Sequence, residues 1–254
     1  MPRKLAALID TAMATVLVTG SLTAVALGAG TSPPPPQTAA AGPVSVPPLV
    51  PVPPPVPITP SIVPRARYAG PFGPTSPGKV VYLTFDDGPD PTWTPRILAT
   101  LEKYGAKATF FELGQMVAAH PGLQEQVKAA GHAVGNHSIS HHVLTSLPAA
   151  RRHHELVAGP RSHCFRPPYG ATSPEVEAEI RAAGMTQVLW TVDPRDWDRP
   201  GTSAIVHNVL EHAHAGGIVL MHDGGGDRSQ TVAALDKILR VLKSRGYSFP
   251  AMTC

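Results

Sequence analysis

An α/β fold built on a parallel sheet is what this 254-residue sequence predicts, and three observations carry the expectation. Short β-rich apolar runs alternate with helical patterns from residue 80 to the C-terminal end. The connections between them are short, so the sheet should curl into a closed or nearly closed barrel. Polar residues able to do chemistry fall at the carboxyl ends of the apolar runs, where parallel α/β barrels keep their sites.

The barrel does not begin at once. Arg3 and Lys4 form a basic start, and an apolar, small-residue stretch follows from Thr11 to Gly30. Residues 1–30 therefore read as a signal peptide or an N-terminal membrane anchor, since ~20 apolar residues suffice to span a bilayer. With no cysteine nearby, a lipid-modified cysteine anchor is excluded. Residues 31–77 read as a Pro-rich linker: 14 of the 30 prolines lie between Pro33 and Pro64, and no charged residue occurs from Thr11 to Pro64. Proline fixes φ and lacks a donor, so the tract should run extended at ~3.1 Å per residue, a stalk on the order of 100 Å. Export follows, to the medium or the cell envelope, with membrane contact only through the N-terminal anchor. The net charge of +3 and pI near 9.0 come without a basic cluster, which argues against nucleic acid as a partner. A monomer is expected.

Residues 78–254 form the folded domain, long enough for one sizeable core. Its strands are expected at 80–85 (VVYLTF), 107–111 (KATFF), 132–136 (HAVGN), 163–166 (HCFR), 186–192 (TQVLWTV), 217–222 (GIVLMH) and 246–250 (GYSFP). Helical patterns between them read PRILATLEKYG, HPGLQEQVKAAG, a weak one at 146–157, PEVEAEIRAAG, SAIVHNVLEHAHAGG and SQTVAALDKILRVLKSRG. Several close on glycine, the residue that most easily takes the left-handed conformation at a helix end.

The first strand stops at Asp86 and Asp87, followed by Gly88 and Pro89. Alone, DDGP reads as a turn. The company at the other strand ends changes that: His137 and His141 after the third, Arg166 after the fourth, Asp193 and Asp196 after the fifth, and His222 closing the sixth. Two imidazoles four apart share one face of a helical turn, and with one carboxylate they make a site for a divalent metal with positions left open. One aspartate would bind the ion while the other serves as general base. Arg166 would hold the base by charge-assisted hydrogen bonds. His222 would act as general acid, kept protonated by Asp196 or Asp193. Trp197 and Tyr169 offer flat faces of the kind on which sugar rings stack. His142 is assigned a supporting or structural place, and His153, His154, His163, His207, His212 and His214 are read as ordinary helix or surface residues.

TFDDGP, NHSISHH, RPPYG, DPRDW and LMH, in that order, resemble the five motifs of the polysaccharide deacetylases of carbohydrate esterase family 4, the NodB-homology domain. The resemblance spans about residues 80–250 and implies a distorted (β/α)7 TIM-like barrel. It also implies metal-dependent removal of acetyl groups from N-acetylglucosamine polymers or acetylated xylan. It assigns Asp86 as the base and Asp87, His137 and His141 as metal ligands, for zinc, with cobalt or manganese as alternatives. Arg166 orients Asp86, the backbone N–H of Tyr169 helps bind the oxyanion, and Leu220 lines the acetyl pocket. Pro167 and Trp197 complete the substrate-binding set, and His222 is the acid. Its partner is taken as Asp196, which directly precedes Trp197.

One departure stands out: only 24 residues separate His141 from Arg166, where the family carries a longer stretch with a full helix. The third helix and the adjoining groove wall are therefore expected to be incomplete. Export and stalk favour cell-wall peptidoglycan as the substrate. An O-acetyl esterase such as an acetylxylan esterase is the alternative within the class, and a catalytically weak envelope glycan-binding protein is the alternative outside it. The two cysteines, Cys164 and Cys254, lie in the fourth run and beyond the seventh, which are not neighbours in a barrel laid down in sequence order. Cys164 is thus expected to be a buried free thiol and Cys254 an exposed one.

Overall fold

A computed structural model of the protein describes residues 78–254. The expected signal or anchor segment and the Pro-rich linker lie outside the described residues. No described helix is long and apolar enough to cross a membrane.

Six parallel strands form one sheet: β1 (Val81–Asp86), β2 (Ala108–Glu112), β3 (Ala133–Asn136), β4 (Cys164–Phe165), β5 (Thr186–Gln187) and β6 (Gly217–His222). Their spatial order is β5-β4-β3-β2-β1-β6. The chain beyond β5 then bends toward the far edge, where Val192 bridges Val219 of β6. The run at 186–192 thus touches β4 at its start and β6 at its end, curling the sheet toward closure.

Alternation along the strands sorts the side chains into two layers. On β1, Val81, Leu83 and Phe85 face outward; so do Ala108 and Phe110 of β2 and Val219 and Met221 of β6. There they meet α1 (Thr94–Tyr104), α6 (Thr202–His212) and α7 (Ser229–Ser244) through Ile97, Leu101, Ile205, Val209, Leu235, Ile238, Leu239 and Leu242. Each large aliphatic side chain buried in this layer contributes ~1.5–3 kcal/mol. The alternate residues point into the barrel. Phe111, Val188, Ile218 and Met252 close its floor, and the polar groups stand above them.

The remaining helices are α2 (Gly114–Ala119), α3 (Pro121–Ala129), α4 (Ala149–Val157) and α5 (Pro174–Ala182). Gly105 ends α1 at φ 63, its N–H bonding back to the Glu102 carbonyl, as the glycine pattern predicts. Nothing in GQMVAA signals α2, which lacks a side-chain cap and buries no residue. The helix between His141 and Arg166 is present despite the short segment. It buries Glu155 and Leu156, and Arg152 on its flank pairs with Glu179 of α5 at 2.5 Å.

Two expectations fail here. The seventh run does not form a strand; it supplies one parallel bridge, Val80 to Ser248, beside the start of β1. Phe249 then accepts a bond from Lys107 N–H (2.8 Å), and Pro250, which has no N–H to donate, ends the pairing. The chain next runs across the barrel floor, where Met252 N–H bonds Thr109 Oγ1 (2.9 Å) and the Cys254 carbonyl accepts from His163 N–H (3.1 Å). This path overturns the free-thiol expectation. Cys164 and Cys254 are joined in a disulfide, with Cα atoms 5.1 Å apart. Strands four and seven are indeed not neighbours, but four residues of tail are enough to cross between them.

The bridge closes a sequence separation of 90 residues. Chain-entropy reasoning gives such a loop about 4–5 kcal/mol. At ~2–4 °C per kcal/mol for a domain of this size, Cys254→Ser should lower Tm by about 8–20 °C under non-reducing conditions. Alkylation of the denatured, unreduced protein should add no mass; two labels would mean the thiols are free.

Candidate active site

Strand ends assemble the site from both sides of β1. Register places Asp86 beside His222 of β6 and beside Phe111 of β2. Asp86 points inward, as alternation requires. Asp87 by the same rule should point away. Its backbone instead takes φ 74, a left-handed value uncommon outside glycine, which returns its carboxylate toward the barrel mouth. Gly88 then passes so close to Asp223 that a Cβ would stand 2.3 Å from Oδ2, so no larger residue fits this turn.

His137 follows β3 directly, and the segment to His141 is not the helical turn that the spacing suggested. It is a loop, with Ser138 at φ 71 and His141 at φ 62. The loop still brings the imidazoles together, ring centres 5.0 Å apart. Asp87 Oδ1 lies 3.5 Å from His137 Nε2 and 3.2 Å from His141 Nε2. One ligand atom from each of the three residues lies within 4.8 Å of the others.

Two observations fit this set to a cation. His137 Nδ1 is 2.7 Å from the Arg166 carbonyl, which can only accept, so Nδ1 carries the proton and Nε2 offers its lone pair toward Asp87. Asp87 Oδ1 is itself buried without a hydrogen-bond donor. An acceptor facing acceptors is a costly vacancy in a protein interior, and a metal ion satisfies it. Burial opposes ionisation of Asp87; protonated imidazoles at His137, His141 and His222 outweigh it and hold its pKa well below the usual range, and a cation held with neutral imidazoles would act in the same direction. For His141 the order reverses: burial lowers its pKa more than Asp87 raises it, favouring the neutral ligand form.

Arg166 lies beneath, fully buried. Its Nη1 donates to Asp86 Oδ1 (2.7 Å) and to Thr84 Oγ1 (2.8 Å), while Nε and Nη2 donate to the Val188 and Leu189 carbonyls. Phe111 stacks on the guanidinium at 4.1 Å. One Asp86 oxygen is thereby held, and Oδ2 lies on the His137 side at 3.7 Å from Nε2.

On the opposite wall, His222 Nδ1 is 2.7 Å from Asp196 Oδ1, and Asp196 Oδ2 accepts from His222 N–H (2.9 Å) and the Thr231 hydroxyl (2.7 Å). Burial alone would lower the His222 pKa. The charge and hydrogen bond of Asp196, with Asp87 and Asp86 behind, push it up to about 9. Of the two aspartates, Asp196 is the one that bonds His222, while Asp193 turns to its own loop, accepting from Arg195 N–H at 2.8 Å.

The expected substrate residues ring the mouth unevenly. Tyr169 is exposed at φ 60, its ring 4.4 Å from that of His141, and Gly170 behind it leaves no room for a Cβ against Trp190. Trp197 stands exposed with the Arg195 guanidinium 5.0 Å over its ring. Leu220 is buried on the inner face two residues below His222, opposite Thr84. Pro167 is buried at the head of the 168–170 turn, where its carbonyl accepts from Gly170 N–H.

Several residues of the site were not anticipated. Thr84 shares the inward period of Asp86 and was readable from alternation. Thr231 lies in the first turn of α7, inside the expected helical pattern, where nothing local marks its hydroxyl for Asp196. Glu112 and Asp223 line the back of the DDGP turn, each buried with one unpartnered oxygen. Burial, aided by their carboxylate neighbours, raises Asp223 well above the usual range and Glu112 to about 7. No local pattern marks them.

The sequence matches the polysaccharide deacetylase family over residues 73–188. It is 44% identical over 181 residues to a peptidoglycan-N-acetylglucosamine deacetylase of Bacillus cereus, covering 67% of this chain and 85% of that one. A chitooligosaccharide deacetylase of a Bradyrhizobium species is 41% identical, covering 69% and 90%. The structure also resembles that of a family 4 carbohydrate esterase from Streptomyces lividans in complex with acetate. That likeness has a TM-score of 0.63 at 35% identity and covers 68% of this chain and 92% of the other. On this identity and coverage, the chain belongs to the polysaccharide deacetylase family.

Proposed function

We propose that the protein hydrolyses N-acetyl groups from N-acetylglucosamine polymers, with cell-wall peptidoglycan as its substrate. The observation that carries the reading is one buried mouth holding a base, an acid and a three-residue ligand set, with the ends of β1, β3 and β6 supplying all three. The names of the relatives support the substrate class. Export on a Pro-rich stalk is part of the same proposal, and it accords with a disulfide, which persists in oxidising compartments. The enzyme is proposed to work as a monomer.

Asp87, His137 and His141 would hold the ion. Two imidazole nitrogens and one carboxylate oxygen within 4.8 Å of one another form a donor set that suits zinc. When bound, such an ion polarises the acyl oxygen and eases deprotonation of water. Asp86 takes the proton from the attacking water, on the oxygen that Arg166 does not hold. The Tyr169 N–H donates to the oxyanion as the carbonyl carbon becomes tetrahedral. His222, with Nδ1 committed to Asp196, delivers its Nε2 proton to the leaving nitrogen as the C–N bond breaks. Acetate and a free amine result. Leu220 takes the acetyl methyl, and Trp197 offers its face to a neighbouring sugar.

The direct test incubates the full chain with N-acetylglucosamine oligomers, peptidoglycan and acetylxylan, with and without divalent metal, and follows acetate. Release from the N-acetylated polymers, dependent on metal, is expected. Release confined to acetylxylan would transfer the assignment to the ester reading, and release from none would remove it.

The paired aspartates should separate under substitution. Asp86→Asn should keep the ion and lose ~10²–10⁴-fold in turnover, the scale of a general base. Asp87→Asn should lose the ion itself. Metal content by mass spectrometry beside acetate release distinguishes the two, and the reverse pattern would exchange the roles. Because Asp86→Asn leaves the buried Arg166 without its carboxylate, at a cost of ~3–5 kcal/mol, Tm is recorded on each variant.

The pH profile tests the acid. His222 works protonated, so turnover should fall as pH rises through its folded value of about 9. A cation at Asp87 would offset part of the raising charge, placing the limb at or below that value. Asp196→Asn should bring the alkaline limb down toward ~6.5, the unperturbed imidazole. Asp193→Asn should leave it in place; movement by Asp193→Asn alone would give that aspartate the role.

A further inference from the structure

α4 fills a segment whose length argued against a full helix, and its most buried polar group is a carboxylate. Glu155 is 1% exposed. A carboxylate taken that far from water is costly unless its oxygens are satisfied. Oε2 accepts the backbone N–H groups of Ile139 (3.1 Å) and Ser140 (3.0 Å), and Oε1 accepts the Ser140 hydroxyl (2.6 Å). His142 Nδ1 and Arg151 Nε stand farther off, at 3.6 and 3.7 Å from Oε1. All three short bonds therefore end on one dipeptide, the one immediately before His141.

That loop needs holding. It contains two left-handed residues, Ser138 and His141, neither a glycine, and each such residue is held against its own preference. From the β2 side, the N–H groups of Gly114 and Gln115 grip the carbonyls of Ser138 (2.9 Å) and Ile139 (3.0 Å). Ser138 Oγ accepts from His141 N–H (3.1 Å). Glu155 grips the opposite edge of the same peptide units, so the loop is clamped between α2 and α4.

We propose that Glu155 is a positioning residue for the metal centre: it fixes Ile139 and Ser140 so that His141 presents Nε2 to Asp87 before any ion arrives. The inference rests on the reading of Asp87, His137 and His141 as ligands. Glu155 itself touches neither those three side chains nor the mouth. A loop ordered in advance spares the ion the cost of ordering it, which raises affinity. Ser140 is the hinge of the arrangement, since its N–H and its hydroxyl are both taken.

The experiment measures zinc affinity of the metal-stripped full chain by competition with a chromophoric chelator, with folding read by circular dichroism. Glu155→Asp keeps the charge but draws it back by one methylene. It should weaken zinc by ~10–100-fold, the scale for groups that orient metal ligands. Glu155→Gln, with one oxygen at unchanged reach for both N–H groups, should stay within about threefold of wild type on the same scale. Leu156→Ala, the buried neighbour on the same helix, should lower Tm and leave affinity unchanged, which a merely structural role for Glu155 would not distinguish. Should Glu155→Asp not fold, Ser140→Ala carries the test, with weaker binding expected and unchanged binding overturning the clamp. Unchanged affinity in folded Glu155→Asp, or an equal loss in Leu156→Ala, overturns the clamp alone. A wild type that takes up no zinc overturns the ligand reading and the clamp with it.

Discussion

The site depends on burying a guanidinium in the middle of a barrel. Arg166 is fully enclosed, and its cost is met by Asp86, Thr84 and two backbone carbonyls, with Phe111 against its face. Its own carbonyl accepts from His137 Nδ1 and its own N–H bonds the Asn136 carbonyl. One residue just past the two-residue β4 thus fixes the carboxylate proposed as base on one side and the imidazole proposed as ligand on the other. Residues from β1, β3 and the run after β5 meet on it. Buried ion pairs are poor sources of stability, but removing one partner is severe, which makes such a pair a good means of fixing geometry.

Around that pair the protein gathers four carboxyl groups, and charge alone would forbid it. Backbone and burial divide them. Asp86 is neutralised by the guanidinium. Asp87 is turned inward by its left-handed backbone to face two imidazoles. Asp223 and Glu112, behind the turn, have pKa values raised by burial and by neighbouring carboxylates. Gly88 stands between the two pairs with no room for a side chain. DDGP is a turn after all, but one whose two sides carry opposite answers to the same electrostatic problem.

Much of this was legible in the sequence. The positions of six strands came from short β-rich apolar runs, and the ordered motifs named Asp86, Asp87, His137, His141, Arg166, Asp196 and His222, which the fold brings to one mouth. What escaped was what local pattern cannot encode. Val80 to Ser248 is a single bridge because Pro250 breaks pairing, yet GYSFP reads as a strand like the others. The disulfide depended on the path of four tail residues across the floor, a tertiary fact. The weak pattern at 146–157 does form a helix, α4, although the short segment argued for an incomplete one; contacts from Glu155, Leu156 and Arg152 override weak propensity. The spacing of His137 and His141 suggested a helix, while the actual loop reaches the same convergence by two left-handed residues.

Tyr169 shows how such a site can hide from inspection by substitution. The group proposed to meet the oxyanion is its backbone N–H, aimed by φ 60, while its side chain lies exposed at the rim. Replacing the ring changes the rim and leaves the donor in place. Glycine would hold the same backbone more easily than tyrosine does. Only proline deletes the N–H, and its ring demands φ near −65°, so it would refold the turn rather than delete one interaction. A survey of tolerated residues would therefore miss the donor: glycine and the residues that accept a left-handed backbone would pass, and only β-branched residues and proline would be selected against. On the proposed mechanism, specificity and catalysis would share one residue without sharing any atoms.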